Sequence, residues 1–182
     1  MKKILLNLAV TLDGFIEGPK GETDWCIMDD DMNFEEFLSG IDTIFFGRIS
    51  YDEWKKYRPG PDADTIEKNM WNVIDSKRKV VFSSQIRNDE KAEYVSSGLE
   101  EKVAEIKLQQ GKDIWLFGGA SLVKSFIRSG LIDEYQLSVH PVAIGSGKPL
   151  FESLEQRLAL RLVQTRQFRS GVVQLIYEPD TC

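Results

Sequence analysis

The stretch DIWLFGGASLVKSFIRSG, residues 113–130, carries the clearest fold signal in the chain. Its first half is an apolar run that predicts a buried strand, and Gly118 and Gly119 interrupt that run. Apolar residues then recur at helical spacing, and Gly130 lies where a helix commonly ends. The apolar helical positions are Leu122, Val123, Phe126 and Ile127. The stretch therefore predicts a strand followed at once by a helix.

The same alternation of strand and helix extends towards the N-terminus. Apolar runs predict strands in KILLNLAV (residues 3–10), IFF (44–46) and KVVF (79–82). Amphipathic stretches between the runs predict helices. Capping-box spacing predicts that Asn33 with Glu36, and Ser50 with Glu53, begin two of these helices, and Ser97 is predicted to cap another. Strands separated by helices indicate parallel crossover connections.

The C-terminal part has a different pattern. Three stretches predict strands without intervening helices: EYQLSVHPV (134–142), LALRLVQTRQF (158–168) and VVQLIYEP (172–179). Residues 169–171 are predicted to form a hairpin turn between the last two. The whole chain therefore predicts an α/β three-layer sandwich, with a mainly parallel central sheet, helices on both faces and an antiparallel C-terminal hairpin.

Composition limits the classes of protein to which the chain can belong. Its 182 residues are 42% apolar, which suits a single domain over residues 1–182. A net charge of -6 argues against a nucleic-acid partner, and no apolar run is long enough to cross a bilayer. Cys26 and Cys182 have no metal-ligand spacing, so we predict no metal site and a cytoplasmic location.

Three motifs follow predicted strands, at positions where α/β proteins bind ligands. In FFGRIS, Gly47 allows close backbone approach, Arg48 offers a planar fork for phosphate, and Ser50 begins the helix. Hydroxyl groups follow the next strand in FSS, and a glycine pair follows a third strand in LFGGAS. Each motif also has a purely structural explanation, as a solvent-facing arginine, turn-forming serines or a strand-to-helix junction.

The order of the motifs resembles that of a known family. LNLAVTLDGFIEG, FFGRISYDEW, VVFSSQ, LFGGASLVKSF and VHPVAIGSGKPLF follow one another over nearly the whole chain. This ordered set is similar to the dihydrofolate reductase-like fold family, in particular its riboflavin-biosynthesis reductase branch, the RibD C-terminal-like proteins. The resemblance implies an NADPH-dependent oxidoreductase.

The resemblance also implies where the cofactor binds. The nicotinamide would lie near Ala9, Phe15 and Ile16, and Arg48 and Ser84 would bind the adenosine 2′-phosphate. The other implied cofactor-binding residues are Gly47, Ile49, Ser50, Ser83, Phe117, Gly118, Gly119, Ala120, Ser121 and Leu122. Of these, residues 118–122 would hold the pyrophosphate.

The substrate side has fewer signals. Dihydrofolate reductases carry an acidic residue shortly after a tryptophan, and the matching residues by spacing are Trp25 and Asp30. Asp30 is therefore a candidate for substrate binding and for proton transfer, although the acids at 29–31 also suit the start of a helix. Asp13 resembles an acidic position near the substrate pocket of the riboflavin branch, which implies that it is a second candidate for a catalytic role, and a turn-forming Asp-Gly pair explains it too.

These observations predict hydride transfer from NADPH to a small heterocyclic substrate, as in a 5-amino-6-(5-phosphoribosylamino)uracil reductase. Dihydrofolate reductase activity is one alternative, and a non-catalytic nucleotide-binding protein is another. The chain has no His-x-Glu or Cys-x-x-Cys motif that would indicate a fused zinc deaminase. Relatives of the riboflavin branch pair through the C-terminal half, so the resemblance also implies a homodimer.

Overall fold

The computed structural model describes residues 1–63, 65–152 and 154–180, without the side chains of Asp30 and Ile66. The terminal Cys182 therefore lies outside the described residues. The chain divides into two compact units. The first unit comprises Met1–Lys2 and Asn33–Gly119, and the second comprises Lys3–Met32 and Ala120–Cys182. The prediction of a single domain over residues 1–182 stays a prediction.

Strands and helices follow one another closely along the described chain. The strands are β1 (Ile4–Thr11), β2 (Phe15–Glu17), β3 (Ile41–Gly47), β4 (Arg78–Phe82), β5 (Glu93–Val95), β6 (Asp113–Gly118), β7 (Glu134–His140), β8 (Lys148–Pro149), β9 (Leu160–Gln167) and β10 (Val173–Pro179). The α-helices are α1 (Phe34–Ser39), α2 (Arg48–Lys56), α3 (Thr65–Ser76), α4 (Leu99–Leu108) and α5 (Ala120–Arg128). A short 3-10 helix covers Asp30–Met32.

In the first unit, four parallel strands lie in the order β5-β4-β3-β6. Gly47 at the end of β3 lies opposite Phe82 at the end of β4, and Phe46 lies opposite Gly118 at the end of β6. The carboxyl ends of these three strands therefore meet at one edge of the sheet. The strands are apolar along most of their length, as expected for central parallel strands.

The first unit has a core rich in large aromatic side chains. Phe45 and Phe46 on β3 and Tyr51 on α2 are fully buried. The ring of Phe46 packs at 5.5 Å from the ring of Tyr51 and at 4.7 Å from that of Phe117. Because rings of this size bury much apolar surface, these contacts fix α2 directly beyond the end of β3.

In the second unit, the strand order is β1-β7-β10-β9. Strands β1 and β7 are parallel, whereas β10 pairs antiparallel with both β7 and β9. Gly171 has a φ of 88° in the turn between β9 and β10, and its N–H donates to the Phe168 carbonyl at 3.0 Å. This confirms the predicted hairpin. A second pair of short strands, β2 and β8, was not predicted.

The architecture confirms the predicted α/β class, with a mainly parallel sheet, helices and an antiparallel C-terminal hairpin. The side chains of α5 confirm its predicted apolar face, since Leu122, Val123, Phe126 and Ile127 are all buried. Within the described ranges, no helix combines the length and the apolar character that a membrane span requires.

The predicted position of Asn33 at the start of α1 is confirmed, whereas its capping hydrogen bond and the predicted caps Ser50 and Ser97 are wrong. Asn33 precedes α1, but its backbone is left-handed with a φ of 50°, and its side chain makes no capping hydrogen bond. Helix α2 begins earlier than predicted, with Gly47 at the N-cap position, so Ser50 lies within the first turn. Gly98, not Ser97, caps α4, again without a side-chain hydrogen bond. Asn33 does not have the extended backbone that a side-chain cap needs, and Gly98 has no side chain with which to cap.

Candidate functional site

The three predicted phosphate-binding motifs lie at the same edge of the first unit. FFGRIS follows β3, FSS follows β4, and LFGG ends β6. Strand β3 pairs with both β4 and β6, and all three run parallel. The motifs are far apart in sequence, yet the sheet aligns their ends. This edge offers glycine backbone, hydroxyl groups and a guanidinium, a combination that suits phosphate groups.

Gly119 lies in direct contact with α2. A Cβ atom added to Gly119 would lie 2.7 Å from Ser50 Oγ, closer than real contacts allow. Gly119 does not have a positive φ, so space and not backbone conformation is what requires a glycine here. Its neighbour Gly118 does have a positive φ, of 119°. The glycine pair at the end of β6 therefore packs closely against α2, with Gly118 buried and Gly119 half-buried beside Ser50.

Arg48 is the first residue of α2, and its side chain is 35% exposed. Its Nη1 atom donates to Asp52 Oδ2 at 3.2 Å. A surface cavity of about 550 Å³ lies along this face of α2. The residues that line it are Arg48, Ile49, Asp52, Glu53, Lys55 and Lys56. Ile49 is largely exposed beside Arg48, so it offers apolar surface at the same place.

The two serines after β4 differ in their surroundings. Ser83 Oγ accepts a hydrogen bond from the Gln85 N–H and donates to the Gln85 carbonyl, both at 3.0 Å. Ser83 therefore stabilises the turn itself. Ser84 is exposed. Its hydroxyl is accordingly the better placed of the two for a ligand.

The remaining predicted cofactor residues belong mostly to the second unit. Ala9, Phe15 and Ile16 are half-buried, and the Phe15 N–H donates to Thr11 Oγ1 at 2.9 Å. Ala120 and Ser121 begin α5, whereas Leu122 is buried. Leu122 can therefore offer a ligand only its backbone. Phe117, in the first unit, is half-buried against Phe46 and Trp115.

The carboxylate of Asp13 holds a loop of the second unit. It accepts hydrogen bonds from Thr11 Oγ1 at 2.6 Å, from the Gly145 N–H at 2.7 Å and from the Ile144 N–H at 3.1 Å. The Thr11 hydroxyl and these two backbone N–H groups lower the pKa of Asp13. Asp13 is thus suited to act as a fixed anion. Its predicted catalytic role stays a prediction.

We expect the amide proton of Gly145 to report the ionisation of Asp13. A lowered pKa means that the carboxylate stabilises the loop above the ordinary aspartate pKa, and that this stabilisation disappears as the pH falls through the lower, folded-state value. NMR spectra over an acid titration should therefore show the Gly145 amide shift with a midpoint below that of an ordinary aspartate. Asp13→Asn should abolish the titration. A midpoint above the ordinary aspartate value would contradict the expectation.

The acids at 29–31 do not cap α1. Asp29 accepts a hydrogen bond from the Ser170 N–H at 3.1 Å, and Asp31 lies 3.5 Å from Nε of Arg169. Both therefore contact the turn of the C-terminal hairpin. Asp30 begins the 3-10 helix, and its side chain lies outside what the structure describes. Its predicted roles in substrate binding and proton transfer stay predictions.

Trp25 lies beside the buried His140. The two rings meet edge to face, with their centroids 5.4 Å apart. His140 faces two backbone carbonyls, of Ser138 at 2.9 Å and of Ile27 at 3.3 Å. Trp25 Nε1 is buried and has no hydrogen-bond partner among the described residues. A buried, unsatisfied N–H is costly, so this donor suits an acceptor atom on a bound molecule.

Two residues close to the sheet edge that carries the three motifs were not predicted from the sequence. Asp52 contacts Arg48, and the spacing of four residues on a helix is a signal that indicates this pair. Arg87 also contacts Asp52, at 2.9 Å, from the loop after β4. No motif indicates Arg87, because its position depends on the path of that loop.

Comparison with known proteins shows the family to which the chain belongs. A family model described as the RibD C-terminal domain matches residues 2–174. The chain therefore belongs to the RibD C-terminal domain family, which is a reductase family. It is 52% identical over 177 residues to the uncharacterized protein YyaP of Bacillus subtilis strain 168, across 97% of this chain and 94% of the relative.

Solved structures share the fold. A putative riboflavin biosynthesis protein from Shewanella sp. PV-4 superposes with a TM-score of 0.80 at 22% identity, over 99% of both chains. A diaminohydroxyphosphoribosylaminopyrimidine deaminase/5-amino-6-(5-phosphoribosylamino)uracil reductase from Thermotoga maritima gives 0.70 at 15% identity. That match covers 98% of this chain and 57% of the Thermotoga protein. These likenesses confirm the predicted fold family.

Proposed function

We propose that the protein is an NADPH-dependent reductase that transfers a hydride to a small heterocyclic substrate of the ribosylaminopyrimidine type. The observation that carries this proposal is the meeting of the three motifs at one sheet edge, with Gly119 pressed against Ser50. Membership of a reductase family supports it. The Thermotoga protein that shares the fold bears the name of a uracil reductase, which supports the substrate class.

The residues present fit the cofactor. Because Gly119 has no Cβ, its half-buried backbone can lie against Ser50, which makes a hydroxyl group and a backbone N–H neighbouring candidates to bind a pyrophosphate, and Arg48 with the exposed Ser84 offers donors to a 2′-phosphate. When bound, NADPH supplies the hydride. The protein's own contribution is to bind and orient the reacting molecules and to exclude water. Ala9, Phe15 and Ile16 provide half-buried apolar surface for the nicotinamide.

The substrate side of the proposal depends on the second unit. Trp25 Nε1 is a buried donor without a protein partner, and a ring nitrogen or carbonyl oxygen of a heterocycle is a matching acceptor. Asp13 keeps its negative charge, so it can bind an N–H edge but is poorly suited to donate a proton. We therefore propose that Asp13 positions groups near the substrate, and that any proton is supplied by Asp30 or by water.

The proposal is tested by cofactor titration followed by a substrate panel. Isothermal titration calorimetry should show binding of NADPH that is tighter than binding of NADH. Oxidation of NADPH should then be followed with ribosylaminopyrimidines, dihydrofolate and small carbonyl compounds. Turnover of a ribosylaminopyrimidine supports the proposal. Turnover of dihydrofolate alone would show that the substrate is a pterin and that the proposed substrate class is wrong. Binding without turnover of any substrate would favour a nucleotide-binding protein, and no binding of NADPH would refute the proposal.

We also propose a homodimer that forms through the C-terminal strands. Strand β9 is the edge strand of the second unit and is exposed along most of its length. Leu162 and Val163 on this strand are 50% and 49% exposed. An exposed edge strand that carries apolar side chains favours pairing with a second chain, because its outer backbone groups can extend the sheet.

We expect light scattering at micromolar concentration to give the mass of two chains. Leu162→Asp should shift the protein to a single chain, because a carboxylate in place of this leucine would be buried at the interface without a partner. Leu108→Asp is the matched control, since Leu108 is an exposed leucine at the end of α4. It should leave the dimer intact. A wild-type protein with the mass of one chain would refute the proposed homodimer.

A further inference from the structure

Two guanidinium groups of the first unit meet on one carboxylate. Asp52 Oδ2 lies 3.2 Å from Nη1 of Arg48 and 3.1 Å from Nη1 of Arg87. Arg87 Nη1 also lies 2.9 Å from Asp52 Oδ1. Because both arginines contact the same oxygen, their charged ends are held within reach of a single phosphate group.

The charge balance around Arg48 and Arg87 differs from that of the neighbouring lysines. Lys55 lies 2.7 Å from Asp89, and Lys56 lies 2.6 Å from Glu53, so each lysine has its own carboxylate. Among the described ion pairs, Arg48 and Arg87 share Asp52. The two guanidinium groups carry two positive charges and Asp52 carries one negative charge, so these described ion pairs leave one positive charge unbalanced.

The chain connects this pair of arginines with two of the predicted phosphate motifs. Arg48 begins α2 directly after β3. Arg87 lies in the loop after β4, three residues beyond the exposed Ser84. Strands β3 and β4 are parallel neighbours, so both residues follow carboxyl ends at the same sheet edge. The position of Arg87 beside Asp52 therefore brings a second guanidinium to the edge where Arg48 and Ser84 lie.

We propose that Arg87 is a second specificity-determining residue for the 2′-phosphate of NADPH. The inference rests on the proposed cofactor. A 2′-phosphate carries between one and two negative charges and three strong acceptor oxygens, enough to accept hydrogen bonds from two guanidinium forks and one hydroxyl. NADH has only a hydroxyl group at that position. Arg87 consequently discriminates between the two cofactors and contributes little to the binding of the parts that they share.

The test compares Arg87→Ala with the matched control Arg78→Ala. Arg78 begins β4 and Arg87 follows its other end, so both variants remove one exposed guanidinium from the same part of the chain. The probes are adenosine 2′-phosphate, NADPH and NADH, titrated by calorimetry at low and at high salt. Arg87→Ala should weaken NADPH and adenosine 2′-phosphate about tenfold, the lower end of the range for a charge-assisted hydrogen bond. NADH binding should be unchanged, and Arg78→Ala should match wild type on all three probes.

The outcomes separate this inference from the proposed function. Arg87→Lys keeps the charge without the fork and should lose less than Arg87→Ala. If Arg87→Ala binds NADPH as wild type does, or weakens NADPH and NADH equally, Arg87 does not determine specificity. In that case, a selective loss of NADPH binding in Arg48→Ala would still support the proposed cofactor. If the wild type binds neither NADPH nor adenosine 2′-phosphate, both the inference and the proposed cofactor fail.

Discussion

Gly119→Val is expected to abolish detectable NADPH binding while the protein stays folded. Any side chain at Gly119 begins with a Cβ only 2.7 Å from Ser50 Oγ, and valine adds two methyl groups beyond it. Those methyl groups would occupy the space through which a pyrophosphate approaches the backbone. We expect a loss of about a hundredfold or more, which corresponds to about 3 kcal/mol of binding free energy.

The fold should tolerate Gly119→Val for two reasons. Gly119 does not have a positive φ, and the atom that a Cβ would meet is the hydroxyl of Ser50, which can rotate away. Gly60→Val is the matched control, because a Cβ at Gly60 meets nothing within 4 Å. Calorimetric titration with NADPH and thermal unfolding by circular dichroism measure the two effects separately. A folded Gly119→Val variant with normal NADPH affinity would show that the glycine pair is only a structural junction.

Arg48→Ala is expected to weaken NADPH binding about tenfold to a hundredfold. Removing a charge-assisted hydrogen bond costs about 1.5 to 3 kcal/mol, and the partial exposure of Arg48 and its pairing with Asp52 favour the lower half of that range. NADH lacks the 2′-phosphate, so its binding should hardly change. High salt should also reduce the preference of the wild type for NADPH over NADH, because salt screens the attraction between the Arg48 guanidinium and the 2′-phosphate.

Steady-state kinetics with both cofactors measures the effect of Arg48→Ala directly. Arg58→Ala is a suitable control, since Arg58 follows the opposite end of α2 and stacks on the ring of Trp71 at 4.6 Å. It should keep the preference of the wild type. A wild type that favours NADH, or an Arg48→Ala variant that weakens both cofactors equally, would show that the 2′-phosphate does not bind at Arg48.

The sequence predicted those parts of the fold that depend on local pattern. The apolar run in β6 and the helical spacing in α5 are properties of short stretches, and both elements formed as expected. Asn33 does precede α1, but its predicted capping hydrogen bond is absent, because a favourable side chain is not sufficient when the backbone there is left-handed. Strands β2 and β8 were missed since each is at most three residues long, too short for alternation to be visible.

The residues of the candidate site that lie in local motifs could likewise be predicted from the sequence. Arg48, Ser84 and Gly119 stand in motifs that directly follow strands, so their alignment at one edge follows once the strands are known to be parallel neighbours. Asp13 was singled out, but the amides that it binds lie more than 130 positions away in sequence. Arg87 carried no signal at all, because only the folded loop brings it to Asp52.

The division of the chain between its two units has a consequence for synthesis. Residues 33–119 lie in the first unit, and they interrupt the second, in which β1 pairs with β7. At the usual rates of translation, β7 leaves the ribosome on the order of ten seconds after β1. During this interval the apolar residues Ile4, Leu5 and Leu6 have been made but their partner strand β7 has not. The second unit can therefore be completed only after all the residues of the first have been synthesised.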